Sequence, residues 1–425
     1  MERAREVSTR SYTRAPHRSG CIGFEPKPNR YRQHNPVIQF GIGSVGFTIG
    51  VALLLAAFAA LAHAEPAANT NLDLIPESKS LWTESLLWDK DIVVRAGVGY
   101  KDNVLLSPSS PQASPFFTCG FDLTVFRLPL DGWEVNFLII GDDIRYFRSP
   151  GGLNSEDLFI SSAQVQKYIG LQWRAGLELR YSYVDQVLNE LLISGGVRAV
   201  EAQGNTLGLR PFIRRDLSTN WWVQLEAPLA REWWRSPLDS TWKFGGQAIL
   251  GLSYGPHSQI TLTGGALYIP HDEWLARDAL GTELPGRKLD LWREVAELRW
   301  QQQWDAKDHW STTTKLGFNH SHDNGGGFFD YTRYFATEEA RFHTKDWEAK
   351  VSVGLSYYDF PVQTIDTPPA PKLHLTTFDA ILRVERRLYK SIRCFAAFEY
   401  EQTASNDSLS EYRARVGAGG FSWEF

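Results

Sequence analysis

Residues 319–326 read Asn-His-Ser-His-Asp-Asn-Gly-Gly and bring together side chains able to do chemistry. His320 next to Ser321 supplies the residue types of a base and a nucleophile, and His320, His322 and Asp323 are metal-ligand types. The spacing weakens the first idea. Adjacent residues of a strand point to opposite faces, so His320 cannot easily take the proton of Ser321. A polar, glycine-rich loop accounts for the same stretch. No phosphate-cradling glycine loop and no paired-carboxylate site stands out elsewhere. The sequence therefore predicts no enzyme, no cofactor and no metal.

Charged residues elsewhere follow a stricter rule. Leu171, Trp173, Ala175, Leu177, Leu179, Tyr181 and Tyr183 alternate with Gln172, Arg174, Gly176, Glu178, Arg180 and Ser182. Residues 242–254 and 347–357 repeat the pattern, with Lys243, Glu348 and Lys350 in the polar register. Period-two alternation marks a strand with one apolar face. These runs reach the ten or so residues that a tilted strand needs to cross a bilayer. Aromatic residues stand at both ends of each apolar stripe, as amphipathic rings do at the two headgroup levels. A charge facing lipid costs roughly 2–4 kcal/mol near the midplane, so the polar register must face water. The expected lumen-lining set is Arg95, Arg174, Glu178, Arg180, Lys243, Arg293, Glu297, Arg299, Glu348 and Lys350. Its mixed charge implies weak selectivity by sign.

Composition agrees with an exported strand-rich chain. Among 425 residues there are 16 Trp, 16 Tyr and 24 Phe, but three Cys and one Met. Mean hydropathy is −0.30, which excludes a bundle of membrane helices. Lys and Arg number 44 against 49 Asp and Glu, a balance that disfavours nucleic-acid binding. Residues 1–64 read as a signal peptide: a basic start, an apolar run from Val37 to Ala62, and the ending Ala62-His63-Ala64. The basic part is long, and an over-extended start would explain it. Residues 65–90 form a periplasmic N-terminal segment or a plug, and 91–425 form the barrel. The cysteines of the barrel, Cys119 and Cys394, fall in the apolar register and are expected to face lipid.

Short turns at 130–132, 216–220, 255–258, 305–309, 344–346 and 388–391 alternate with longer links rich in Gly, Pro, Ser and Asn. Short turns at one end and long loops at the other are the outer-membrane pattern. The fold class is all-β: a transmembrane up-and-down antiparallel β-barrel of about 16 strands, with 14 to 18 as the range. A barrel of that size encloses an aqueous channel. The links 184–196 and 270–288 are the candidate constrictions. The first carries Asp185 and Glu190 and corresponds by strand order to the pore loop of general porins.

Two segments carry a family resemblance. Gly97-Val98-Gly99-Tyr100-Lys101-Asp102-Asn103 resembles the GxGYxDN segment of putative β-barrel porins, some associated with surface-polysaccharide systems. The last strand ends Phe421-Ser-Trp423-Glu-Phe425, similar to the terminal strands of Gram-negative outer-membrane barrels, whose final aromatic is an assembly signal. The resemblance implies an outer-membrane location, with lipid and the barrel-assembly machinery as partners. It implies a porin-like channel for passive diffusion of small hydrophilic solutes, and a homotrimer as a candidate assembly. The alternative is a non-channel barrel with a structural or polysaccharide-associated role. An outer-membrane acyl hydrolase is a third reading, but the family's His-x-Ser-Asn spacing is not met at 320–324.

Overall fold

The computed structural model describes residues 88–425, apart from 131, 190–198, 256 and 366–369. The expected signal peptide at 1–64, residues 65–87 of the expected N-terminal segment and Glu190 lie outside the described residues. The strands are β1 (Trp88–Lys101), β2 (Ser114–Leu130), β3 (Trp133–Tyr146), β4 (Ser155–Ile169), β5 (Trp173–Asn189), β6 (Ala199–Asp216), β7 (Trp221–Glu226), β8 (Leu229–Trp234) and β9 (Thr241–Gly255). They continue with β10 (Ser258–Arg277), β11 (Glu283–Gln303), β12 (Trp310–Asp323), β13 (Tyr331–His343), β14 (Trp347–Thr364), β15 (Lys372–Tyr389), β16 (Ile392–Ser405) and β17 (Tyr412–Glu424).

Each strand pairs antiparallel with its neighbours, and β1 pairs with β17, so the sheet closes on itself. Closure leaves no edge strand with unpaired backbone groups, the condition for crossing lipid with strands. β7 and β8 together form one stave. They both lie between β6 and β9, and the interruption falls at Ala227-Pro228, where Pro228 has no N–H to donate. Seventeen strand segments therefore make a barrel of sixteen staves.

The pairing register assigns the two faces. Outward residues alternate down every stave, for example Ala96, Cys119 and Phe421 on one rung, with Cys394 next to Phe421. Ion pairs that skip staves identify the concave side: Arg95 on β1 reaches Asp142 on β3, and Lys101 on β1 reaches Glu156 on β4. The outer face carries two rings of aromatics. Trp133, Trp173, Trp221, Trp300, Trp310 and Trp347 stand toward the short turns, and Tyr100, Trp233, Trp242, Trp292, Tyr334 and Tyr357 toward the long loops. Between the rings the outer residues are mainly aliphatic or small.

The seam between the first and last strands explains the Gly97–Asn103 motif. Gly97 lies opposite Gly420, and Tyr100 opposite Gly417. A Cβ on Gly99 would meet the Phe116 ring at 2.3 Å and the Gly417 carbonyl oxygen at 2.6 Å, so glycine lets the two backbones and the ring stack closely. Asp102 then exchanges hydrogen bonds with Arg415: its backbone N–H donates to the Arg415 carbonyl (3.0 Å), and its carboxylate accepts the Arg415 N–H (2.7 Å). The buried Asn103 amide donates to the carbonyls of Arg413 (3.0 Å) and Ser107 (2.9 Å). The Asp-Asn pair is thus a clasp that joins the first and last strands of the barrel as well as a turn former.

Candidate functional site: the barrel interior

The ten expected lumen residues all sit on the concave face, and most are tied into cross-strand networks. Arg95 bridges Asp122 and Asp142. Arg174 and Arg214 converge on Asp216, each at 3.1 Å. Arg210 links Glu178 (3.0 Å) to Glu226 (3.4 Å). Lys243 pairs with Glu232 at 2.6 Å, and Lys350 with Glu339 at 3.0 Å. Glu348 receives Arg341 (2.8 Å) and Arg393 (3.5 Å). Arg180, Arg293, Arg299 and Glu297 have no ion-pair partner among the described residues.

Three bulky inward rings lie along the wall. Phe335 lies flat on Gly317, Phe212 on Gly176 and Trp222 on Gly251; a Cβ at any of these glycines would stand within 2.4 Å of the ring. Inward glycine on one stave and an aromatic on the next give a smooth wall, a pairing that shields the glycine backbone. Sequence reasoning missed this, although glycine in the polar register beside an aromatic-bearing strand was a usable signal.

The mouth at the long-loop end is built differently. Val104 and Leu106 of the β1–β2 loop pack with the inward-facing Phe116, Tyr146, Tyr412 and Ala414. Phe329 of the β12–β13 loop joins Ile269, Leu289 and Leu291. Leu238 of the β8–β9 loop covers Val200 and Ala202. These loops fold inward over apolar strand ends.

The bounds of both candidate constriction links differ in the structure, and residues 190–196 of the first lie outside the described residues. Asp185 lies inside β5, which pairs with β6 as far as Asn189 opposite Ala199. Its register is the outward one, where its carboxylate accepts a hydrogen bond from the Gln203 amide (2.9 Å). Likewise β10 and β11 run to Arg277 and from Glu283, leaving only 278–282 of the link 270–288 as loop. Polar residues at strand ends beyond the bilayer read as loop, but they remain in the paired hairpin. The loop folded inward under the β1 clasp, 102–113, was not among the candidates.

The His-Ser segment is strand as well. His320 and His322 face outward, their rings 6.0 Å apart, while Ser321 faces inward and is fully buried. Asp323 organises the following turn by accepting N–H groups of Gly325 (2.7 Å), Gly327 (2.9 Å) and Phe329 (2.8 Å). Among the described residues no cluster of three His, Cys, Asp or Glu side chains could hold a metal.

A sealed sixteen-stave barrel with a hydrocarbon-facing belt between two aromatic girdles decides the architecture. It is a bacterial outer-membrane β-barrel. No family model matches the chain, and no curated protein matches it. Solved structures similar to it include an anion-selective porin from Comamonas acidovorans (11% identity, 80% of this chain and 99% of that one, TM-score 0.42) and Pseudomonas putida OprB (11%, 81% and 96%, TM-score 0.43). A bacterial polysaccharide outer membrane secretin is a third (11%, 79% and 97%, TM-score 0.39).

Proposed function

We propose that the barrel is a porin-like channel through which small hydrophilic solutes diffuse passively. The observation that carries this reading is the middle of the lumen. Its wall is charged and partly exposed, and aromatic rings lie flat on glycines. A sixteen-stave barrel built this way leaves room for water along its axis. Lumen-lining roles for Arg95, Arg174, Glu178, Arg180, Lys243, Arg293, Glu297, Arg299, Glu348 and Lys350 follow from it. The test is planar-bilayer recording on the refolded full chain, with stepwise conductance increments as the expected result. A folded barrel that inserts and never conducts would overturn the reading.

Phe421, Trp423 and Phe425 fit the role of assembly signal on the same reading. Phe421 and Trp423 share the outer face with ring centroids 6.5 Å apart, and the Phe425 N–H donates to the Ile92 carbonyl at 2.9 Å. Deleting Phe425 should reduce the amount of barrel assembled in cells while leaving refolding in detergent largely intact. Equal loss in both settings would assign these rings to stability alone.

A further inference from the structure

Two opposite walls of the lumen differ in kind. In a ring of sixteen staves, β12 stands eight staves from β3. On β11–β13 the inward register presents Arg293, Arg299, Lys315 and Arg333, none of which has an ion-pair partner among the described residues. Arg333 is held by the Ser356 hydroxyl (2.9 Å) and stacks on Phe335 and Tyr358; Arg293 lies over the Tyr331 ring. Contacts of this kind fix the guanidinium without neutralising it. Among the described residues, the inward carboxylates of this wall outside ion pairs are Glu297 at mid-strand and Asp323 at the loop end, where Asp323 is taken up by backbone N–H groups of the turn.

The facing wall carries an aliphatic patch on its inner side, set beside the Arg95–Asp122–Asp142 network: Asp122 lies directly opposite Ile140, and Asp142 directly opposite Leu158. The inward register of β3 carries Leu138 and Ile140 at mid-strand, Ile160 lies directly opposite Ile140 on β4, and Leu158 lies opposite Val184 of β5. These strands are apolar on both faces at this height, although a wall that only bounds water needs no inner apolar side chains. Nothing in the described barrel covers this patch: the four residues of β3 and β4 are partly exposed, in contrast to the buried clusters at the mouth.

We infer that the channel favours small amphipathic anions, with a negative head on the β11–β13 wall and a hydrocarbon body against the β3–β5 wall. This rests on the channel reading and names its solute class. Charge alone gives little preference, because carboxylates outside ion pairs, among them Asp379 and Glu399, line β15 and β16. The discriminating feature is the pairing of free cations with an opposite apolar surface.

The test uses permanently charged probes and reversal potentials across planar bilayers holding the full chain. Sodium benzenesulfonate is compared with sodium methanesulfonate, and with benzyltrimethylammonium chloride. A simple sieve passes methanesulfonate faster, because it is smaller. The expected result is the reverse order, with benzenesulfonate favoured by about threefold, the factor that contact over a few tens of square ångströms of apolar surface provides. Benzyltrimethylammonium should permeate least. Replacing Leu138, Ile140 and Ile160 together by Ser should restore the sieve order, with conductance in KCl showing that the variant still forms channels. Arg299→Gln with Lys315→Gln should bring benzenesulfonate and benzyltrimethylammonium closer together. Channels that conduct KCl but keep the sieve order in the parent protein overturn the inference and leave the channel reading standing. Absence of any conductance overturns the channel reading itself.

Discussion

Halfway up the barrel most inward residues are polar and partly exposed, and at the long-loop end many of them are buried. At mid-height, charges are bridged across staves, pairs such as Lys350–Glu339 remain accessible, and rings lie flat on glycines. At the mouth, Tyr331, Tyr358, Phe360, Leu373 and Leu375 form a buried cluster on the same face of β13–β15. The comparison shows that the inward register is not one environment. Its middle leaves most side chains partly exposed, whereas its rim packs loops as a globular core would.

The largest effect should come from truncating the rim. Phe360 is fully buried, so Phe360→Ala should cost about 3–5 kcal/mol, read from denaturant unfolding in detergent. Phe335→Ala at mid-height, where the ring has water on one side, should cost clearly less. Equal losses would erase the distinction between the two regions. Next comes the rim ion pair. Lys101→Met leaves the Glu156 side chain, only 6% exposed, without its cation, and should cost about 3 kcal/mol. Glu156→Gln in that background should recover part of the loss.

A pH effect of intermediate size belongs to the rim as well. His271 lies above the Tyr268 girdle position, 3.4 Å from Asp239 and stacked on Trp274 at 5.3 Å. Burial holds its pKa below the usual 6.5, outweighing the pull of Asp239 and Glu232, while Lys243 adds to the lowering. A histidine with a depressed pKa contributes its full stability above the unfolded value. That contribution is lost as the pH falls below about 6.5 toward the folded pKa. Asp239 also accepts the N–H groups of Glu273 (3.0 Å) and Trp274 (2.8 Å). Hydrogen exchange at these two amides should therefore be faster at pH 5 than at pH 8, after correction for intrinsic rates. His271→Phe should remove the pH dependence; its survival in that variant would exclude His271 as the source.

The same contrast explains what the sequence made legible. Where the inner face is polar, as in Trp347–Tyr357, alternation was unambiguous and the strands, their faces and their number could be read directly. The lumen charges followed, because apolar neighbours on either side fixed their register. Alternation fades where the inner face is apolar too. The 270–277 end of β10 and the Asp185–Asn189 end of β5 read as loop because neither face contrasted with the other. The aliphatic wall at Leu138 and Ile140 was hidden for the same reason. The partners of the clasp, Asp102 with Arg415 and Asn103 with Arg413, stand more than three hundred residues apart in the chain. No local pattern could have paired them.

The smallest stability effect should fall in the middle of the lumen. Lys350 and Glu339 pair at 3.0 Å with 44% and 38% of their side-chain surface exposed. Water and salt screen such a pair, so Lys350→Met should change unfolding by about 0–1 kcal/mol. Its consequence lies in permeation instead. Removing the ammonium frees the Glu339 carboxylate next to the β11–β13 cations, and the shift in reversal potential toward cations should shrink as salt is raised. A substitution silent in unfolding but visible in a salt-dependent potential is what a wet wall requires. A loss as large as that of Lys101→Met would mean that the middle of the barrel is as dry as its rim.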